Sequence, residues 1–151
     1  MLKTLRDLFF PGDAASPEES PRSVNAAVAI LLMEVARADF DVADDELAII
    51  RQAMVDDFGM TATEADDLVD HAAREVDDST GFFPFVRVLN DRLGPAERSR
   101  VIEMLWEVAY ADAGKHHLEE SIIRQIAELL YVPHSEFVRA RVRAEEAGAT
   151  D

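Results

Sequence analysis

The chain has 151 residues, 48% of them hydrophobic, with six glycines, six prolines, no cysteine and a formal net charge of -16. This size is one domain with room for a sizeable core, and the composition excludes a disordered chain, a disulfide framework, a thiolate metal site and a cysteine nucleophile. The charge argues against binding nucleic acid or anionic lipid through the main surface.

No run approaches the roughly 20 apolar residues of a membrane span, and the N-terminus has no signal-peptide cleavage pattern, so a cytoplasmic protein is expected. Residues 1–22 read as a short helix and a linker. In Met1 to Phe10, Leu2, Leu5, Leu8 and Phe9 share one side. That helix is expected as a flap on the core or a frayed end. Docking on a membrane surface is disfavoured because it carries only two basic side chains, Lys3 and Arg6. The prolines and glycine from Pro11 to Arg22 make the linker.

A helical domain is expected over 23–145. Ser23 opens a helix running to about Asp39, apolar nearly all round except at Glu34 and Arg37, which predicts a central position. After a short connection, a helix from about Asp44 to Phe58 ends at Gly59, suited to a left-handed cap. Thr61 and Glu64 form a capping box for a helix from Ala62 to about Glu75 with an acidic exterior. Phe82 to Leu93 carries apolar side chains at helical spacing and is expected to be a buried connecting helix, its aromatic cluster part of the core. Pro95 suits the first turn of a helix to about Asp112, another runs from about His117 to Tyr131, and Ser135 caps a last one to about Glu145. A loose tail is expected over 146–151. No segment shows period-two alternation, so the fold class is all-α, with about eight helices.

Part of the chain occurs twice. A shift of 73 residues lays Leu32 to Gln52 on Leu105 to Gln125 without a gap, with 11 identities in 21 positions, where composition alone gives roughly two. The chain therefore reads as an internal duplication of helix-loop-helix units, with halves at about 23–80 and 95–145 joined by the helix 82–93. Among the matched residues are Glu34/Glu107, Asp39/Asp112, Glu46/Glu119 and Arg51/Arg124.

In each half one acid ends a buried helix and another opens the next helix seven residues later: Asp39 with Glu46, and Asp112 with Glu119. Glu34 and Glu107 lie upstream on the first helix. Hard divalent cations, such as calcium, magnesium or manganese, take several oxygen ligands from such clusters, and zinc is a further candidate. The first loop adds Asp41, Asp44 and Asp45, and the second adds His116 and His117. An EF-hand is excluded, because Asp44 stands where its glycine is required. The alternative reading needs no metal: Glu46 and Glu119 cap their helices, while Glu34 and Glu107 pair with Arg51 and Arg124. There is no HExxH motif, glycine-rich phosphate loop or serine nucleophile context, so no enzyme is expected.

The stretches LLMEVARADFDVADDELAII and LWEVAYADAGKHHLEESIIRQIAELLYVPHSEF resemble the two halves of the tellurite-resistance TerB family, which carries an ADG-x-hydrophobic-x-x-x-E pattern in each half. That fold is also similar to the N-terminal region of a membrane-anchored DnaJ-type co-chaperone. The resemblance implies a duplicated helical domain with an acidic metal site, onto which Asp39, Glu46, Asp112 and Glu119 map directly and Glu34 and Glu107 map as neighbours. The family glycine is Phe40 in one half and Ala113 in the other. A metal-binding or metal-sensing module linked to tellurite or another stress is therefore expected. The alternative is a protein-interaction module that docks a partner or forms a homodimer through its acidic faces or through Arg139, Arg141 and Arg143.

Overall fold

The helix at the centre, α1 (Val24–Ala36), buries eleven of its thirteen residues. Its continuous apolar run leaves no face for solvent, so other helices must cover it on all sides. The computed structural model describes residues 24–37, 44–78, 82–111 and 116–149. Around α1 lie α2 (Asp44–Phe58), α3 (Ala62–Asp78), α4 (Phe83–Arg92), α5 (Pro95–Ala111) and α6 (His116–Leu129); α7 (His134–Ala149) packs along α5. Among the described residues there are seven helices and no strand. The expected eighth helix, at Met1 to Phe10, and its linker lie outside the described residues, as does Ser23.

α5 is the second buried helix, with Val101, Ile102, Met104, Leu105, Trp106, Val108 and Ala109 in the core. α1 and α5 pack against each other; α2 touches both, and α6 likewise touches both. Shifted by 73 residues, the spans of α1, α2 and α3 fall on those of α5, α6 and α7 to within two residues at each end. No helix among the described residues is long and apolar enough to cross a membrane.

Local chemistry sets the helix ends. Gly59 closes α2 at φ 69°, its N–H donating to the Val55 carbonyl at 3.0 Å. The Thr61 box forms reciprocally: Thr61 N–H donates to Glu64 Oε1 at 2.9 Å, and Glu64 N–H to Thr61 Oγ1 at 3.1 Å. Before α5, the Gly94 N–H is taken by Glu97 Oε1, and a Cβ on residue 94 would come within 2.7 Å of that oxygen. Glycine permits the close approach.

Several boundaries differ from expectation. α3 continues past Glu75 to Asp78, because nothing in that acidic stretch breaks a helix before the glycine at 81. α6 stops at Leu129 rather than Tyr131: the Val132 N–H reaches back to the Ala127 carbonyl at 2.9 Å, leaving Tyr131 at φ 59°. α7 begins at His134, where Pro133 supplies the carbonyl that accepts from the Phe137 N–H at 2.9 Å, so Ser135 lies inside the first turn. The tail expected over 146–151 is helical through Ala149. Ala144 is buried, and the Tyr110 hydroxyl donates to Glu145 Oε2 at 2.8 Å, so the helix is tied down beyond the point where its apolar pattern fades. In α4 only Val86 and Leu89 are fully buried. Phe83 falls on the side of Arg87 and is exposed, contrary to an all-core aromatic cluster.

Candidate functional site

The densest charged constellation is built on α5. Arg100, Glu103 and Glu107 follow at spacings of three and four, so they share one face of that helix. The Arg100 guanidinium binds the Asp57 carboxylate of α2 through two bonds, Nε to Oδ2 at 3.0 Å and Nη2 to Oδ1 at 3.2 Å. Its Nη1 donates to Glu103 Oε2 at 2.9 Å and to Glu107 Oε2 at 3.3 Å. The other Glu103 oxygen accepts from Arg143 Nε of α7 at 2.8 Å. Three carboxylates and two guanidiniums thus join α2, α5 and α7 at a place where Asp57 is 4% and Glu103 9% exposed.

Burial dominates the proton affinities. It pushes the Asp57 and Glu107 carboxyls above their ordinary range, and the attraction of Arg100 draws each back only in part. For Arg100, burial alone would loosen the proton, but Glu107, Asp57 and Glu103 outweigh it and hold the guanidinium more firmly charged. The arrangement can hold a fixed cation, and the cation it holds is Arg100.

Of the repeated acids, Asp39 and Asp112 lie outside the described residues, as does the side chain of Glu119 in the first turns of α6. Glu46, in the first turn of α2, is 0% exposed. Glu34 is half-buried near the end of α1; burial raises its pKa and Arg37 partly opposes this. The expected pairs Glu34–Arg51 and Glu107–Arg124 do not form. Arg51 Nε instead reaches Asp66 Oδ1 on α3 at 2.7 Å, and Arg124 Nη2 reaches Glu120 Oε2, one turn back on α6, at 3.1 Å. Glu107 is engaged by Arg100, whereas the residue 73 positions before Arg100 is Ala27, so Glu34 has no such partner on its own helix. The two halves share their acids but not their counter-charges.

No group of three histidine, aspartate or glutamate side chains is placed to hold a metal among the described residues. The loop acids of both halves fall outside that statement. Glu34 yields a direct test of burial. A carboxyl whose pKa is raised on folding loses stability as pH climbs from the ordinary carboxylate range through the raised value. Glu34→Gln is therefore expected to raise the thermal midpoint by roughly 1–3 °C near pH 8, with no difference near pH 4. A midpoint gain of equal size at both pH values would rule out a charge effect.

Sequence reasoning missed Asp57, Arg100, Glu103 and Arg143. The signal was the R-x-x-E-x-x-x-E spacing of Arg100, Glu103 and Glu107, hidden because the counterparts of Arg100 and Glu103 in the first half are Ala27 and Ile30. The basic face expected at Arg139, Arg141 and Arg143 is internally paired: Arg139 with Glu136 at 2.6 Å, Arg141 with Glu145 at 3.6 Å, and Arg143 with Glu103.

Fold and site together define a protein that is all-helical among the described residues and built on two adjacent buried helices, α1 and α5. The model of the family described as Tellurite resistance protein TerB matches residues 25–142, which is most of the chain. The chain belongs to the TerB family. No curated protein and no solved structure matches it. The family match bears on the TerB resemblance and leaves the likeness to the co-chaperone region where the sequence put it.

Proposed function

We propose that the protein is a non-catalytic, cytoplasmic TerB-family module that binds a divalent cation, within a response to tellurite or a similar stress. The acids assigned to the cation are Asp39, Glu46, Asp112 and Glu119, with Glu34 and Glu107 as the neighbouring acids upstream. Complete burial of Glu46 carries this reading. Whatever hydrogen bonds it makes, a carboxylate wholly removed from water is further stabilised by positive charge nearby, more than an exposed helix cap needs. A bound cation would supply that charge.

The engagement of Glu107 by Arg100 favours a second reading, in which the upstream acids are ion-pair partners and the module works through protein contacts alone. Thermal unfolding of chelator-treated protein, titrated separately with calcium, magnesium, manganese and zinc, separates the two. An ion at about a hundred times its Kd stabilises a folded state by about 2.7 kcal/mol, a midpoint rise of roughly 5–10 °C for a chain of this size. One ion is expected to give a saturable rise that disappears when Asp39→Asn and Asp112→Asn are combined. A flat response to all four would leave the acids as caps and ion-pair partners.

A further inference from the structure

A groove runs between α4 and the turn that joins α6 to α7, lined by Phe83, Val86, Arg87, Arg92, Leu129 and Tyr131 among others. Two of its large side chains are open to solvent, Phe83 at 62% and Tyr131 at 77% exposed. Tyr131 is also held at φ 59°, a left-handed conformation that suits glycine and is costly for tyrosine. At the end of α2, the turn corresponding to this one is made by Gly59 at φ 69°. By the 73-residue shift Tyr131 lies on Phe58, one position before Gly59, so the turn after α6 carries an exposed aromatic in the conformation that glycine takes after α2.

The charge of the groove is equally out of keeping with the chain. Arg87 and Arg92 make no ion pair among the described residues, and neither do Arg74 and Arg98, whereas Arg51, Arg100, Arg124, Arg139, Arg141 and Arg143 all do. Asp91 offsets one of the two, which leaves the groove net positive on a molecule of net charge -16. Leaving two arginines unpaired beside exposed aromatics, on a chain with twice as many acids as bases, creates a place where carboxylates and apolar side chains are both welcome.

We propose that this groove docks a segment of a partner protein in which apolar side chains are interspersed with carboxylates. The apolar side chains pack on Phe83, Leu129 and Tyr131, and the carboxylates pair with Arg87 and Arg92. Nucleic acid is disfavoured by the overall charge, and a second copy of the chain would bring its own large negative charge to the contact.

The test selects a random peptide library, displayed on phage, against the immobilised full chain in the presence of chelator, and measures the selected peptides by fluorescence anisotropy. The peptides are expected to combine leucine or aromatic residues with Asp or Glu, and to bind about tenfold more weakly to the Arg87→Glu, Arg92→Glu variant. Tyr131→Gly is expected to raise the thermal midpoint, because the strain is relieved, while weakening the same peptides. A residue with a merely structural role would not move the two readouts in opposite directions. Selected peptides without acids, or peptides indifferent to the arginine reversal, would overturn the proposal. So would self-association of the chain, seen by sedimentation and abolished by the same reversal, since a second copy would then fill the groove. None of these residues is among the acids assigned to the cation, so this outcome is independent of the metal titration.

Discussion

Replacing Arg100 with Met is expected to destabilise the protein by about 3–5 kcal/mol at neutral pH, because removing one partner of a buried ion pair strands the others. Three carboxylates would be stranded at once: Asp57, Glu103 and Glu107 all bond to the same guanidinium. For a chain of this length the midpoint should fall by roughly 10 °C. The loss should also depend on pH in a defined direction. Asp57 and Glu107 already have raised proton affinities because burial disfavours their ionised forms. Without Arg100 the opposing attraction disappears and both rise further. Raised carboxyls penalise the fold increasingly as pH climbs through the window between the ordinary and the raised value. Urea unfolding followed by Trp106 fluorescence should therefore show the variant weakest near pH 8 and recovering part of its loss near pH 5. A loss that stayed constant with pH would assign the effect to packing of the Arg100 stem, not to its charge.

Why the helices were legible and the ion network was not follows from the range of the forces involved. α1 could be placed at the centre from its run of apolar residues, since hydrophobic burial is read from composition along a single helix. The Gly59 cap and the Thr61 box are local as well, because every group involved lies within a few residues of the next. Tyr131 was unreadable for the opposite reason. No local rule puts a tyrosine in a left-handed turn, and the early end of α6 follows from a backbone bond, Val132 to Ala127, that tertiary packing stabilises. The helical tail of α7 likewise depends on a partner 35 residues away, Tyr110 against Glu145.

In the candidate site, self-comparison singled out Glu34, Glu46 and Glu107 but could not supply their partners. It scores what two halves share, whereas the Arg100 network exists in one half only, with Ala27 and Ile30 at the matching positions. Arg51 and Arg124 repeat and so read as partners of the upstream acids, yet each is drawn off by another acid, Asp66 and Glu120. Repetition identified residues common to both halves, but pairing is decided by which helices face one another. The meeting of Asp57 with Arg100, 43 positions apart, depends on α2 lying against α5, which no sequence spacing encodes.

The packing between α5 and α7 turns on Trp106, the single tryptophan. It is 1% exposed, meets Phe137 edge-on at 5.6 Å, stacks with Tyr110 at 5.7 Å, and is covered by the Arg141 guanidinium at 5.2 Å. Trp106→Ala would leave a cavity that this enclosed site cannot collapse to fill, and a loss of about 3–5 kcal/mol is expected. Trp106→Phe should behave very differently. The indole Nε1 is buried with no hydrogen-bond partner among the described residues, a defect that by itself costs about 1–3 kcal/mol. Phenylalanine keeps most of the aromatic contact and removes the unsatisfied donor, so the two changes oppose each other and the net loss should stay within about 1 kcal/mol. Both variants lack the tryptophan signal, so the comparison rests on urea unfolding followed by circular dichroism. A Phe variant as unstable as the Ala variant would mean that Nε1 is satisfied in solution, by a water that enters between α5 and α7. Near-native stability would identify the indole N–H as a polar group the core carries at a net cost, retained for the shape and cation–π contact of the ring.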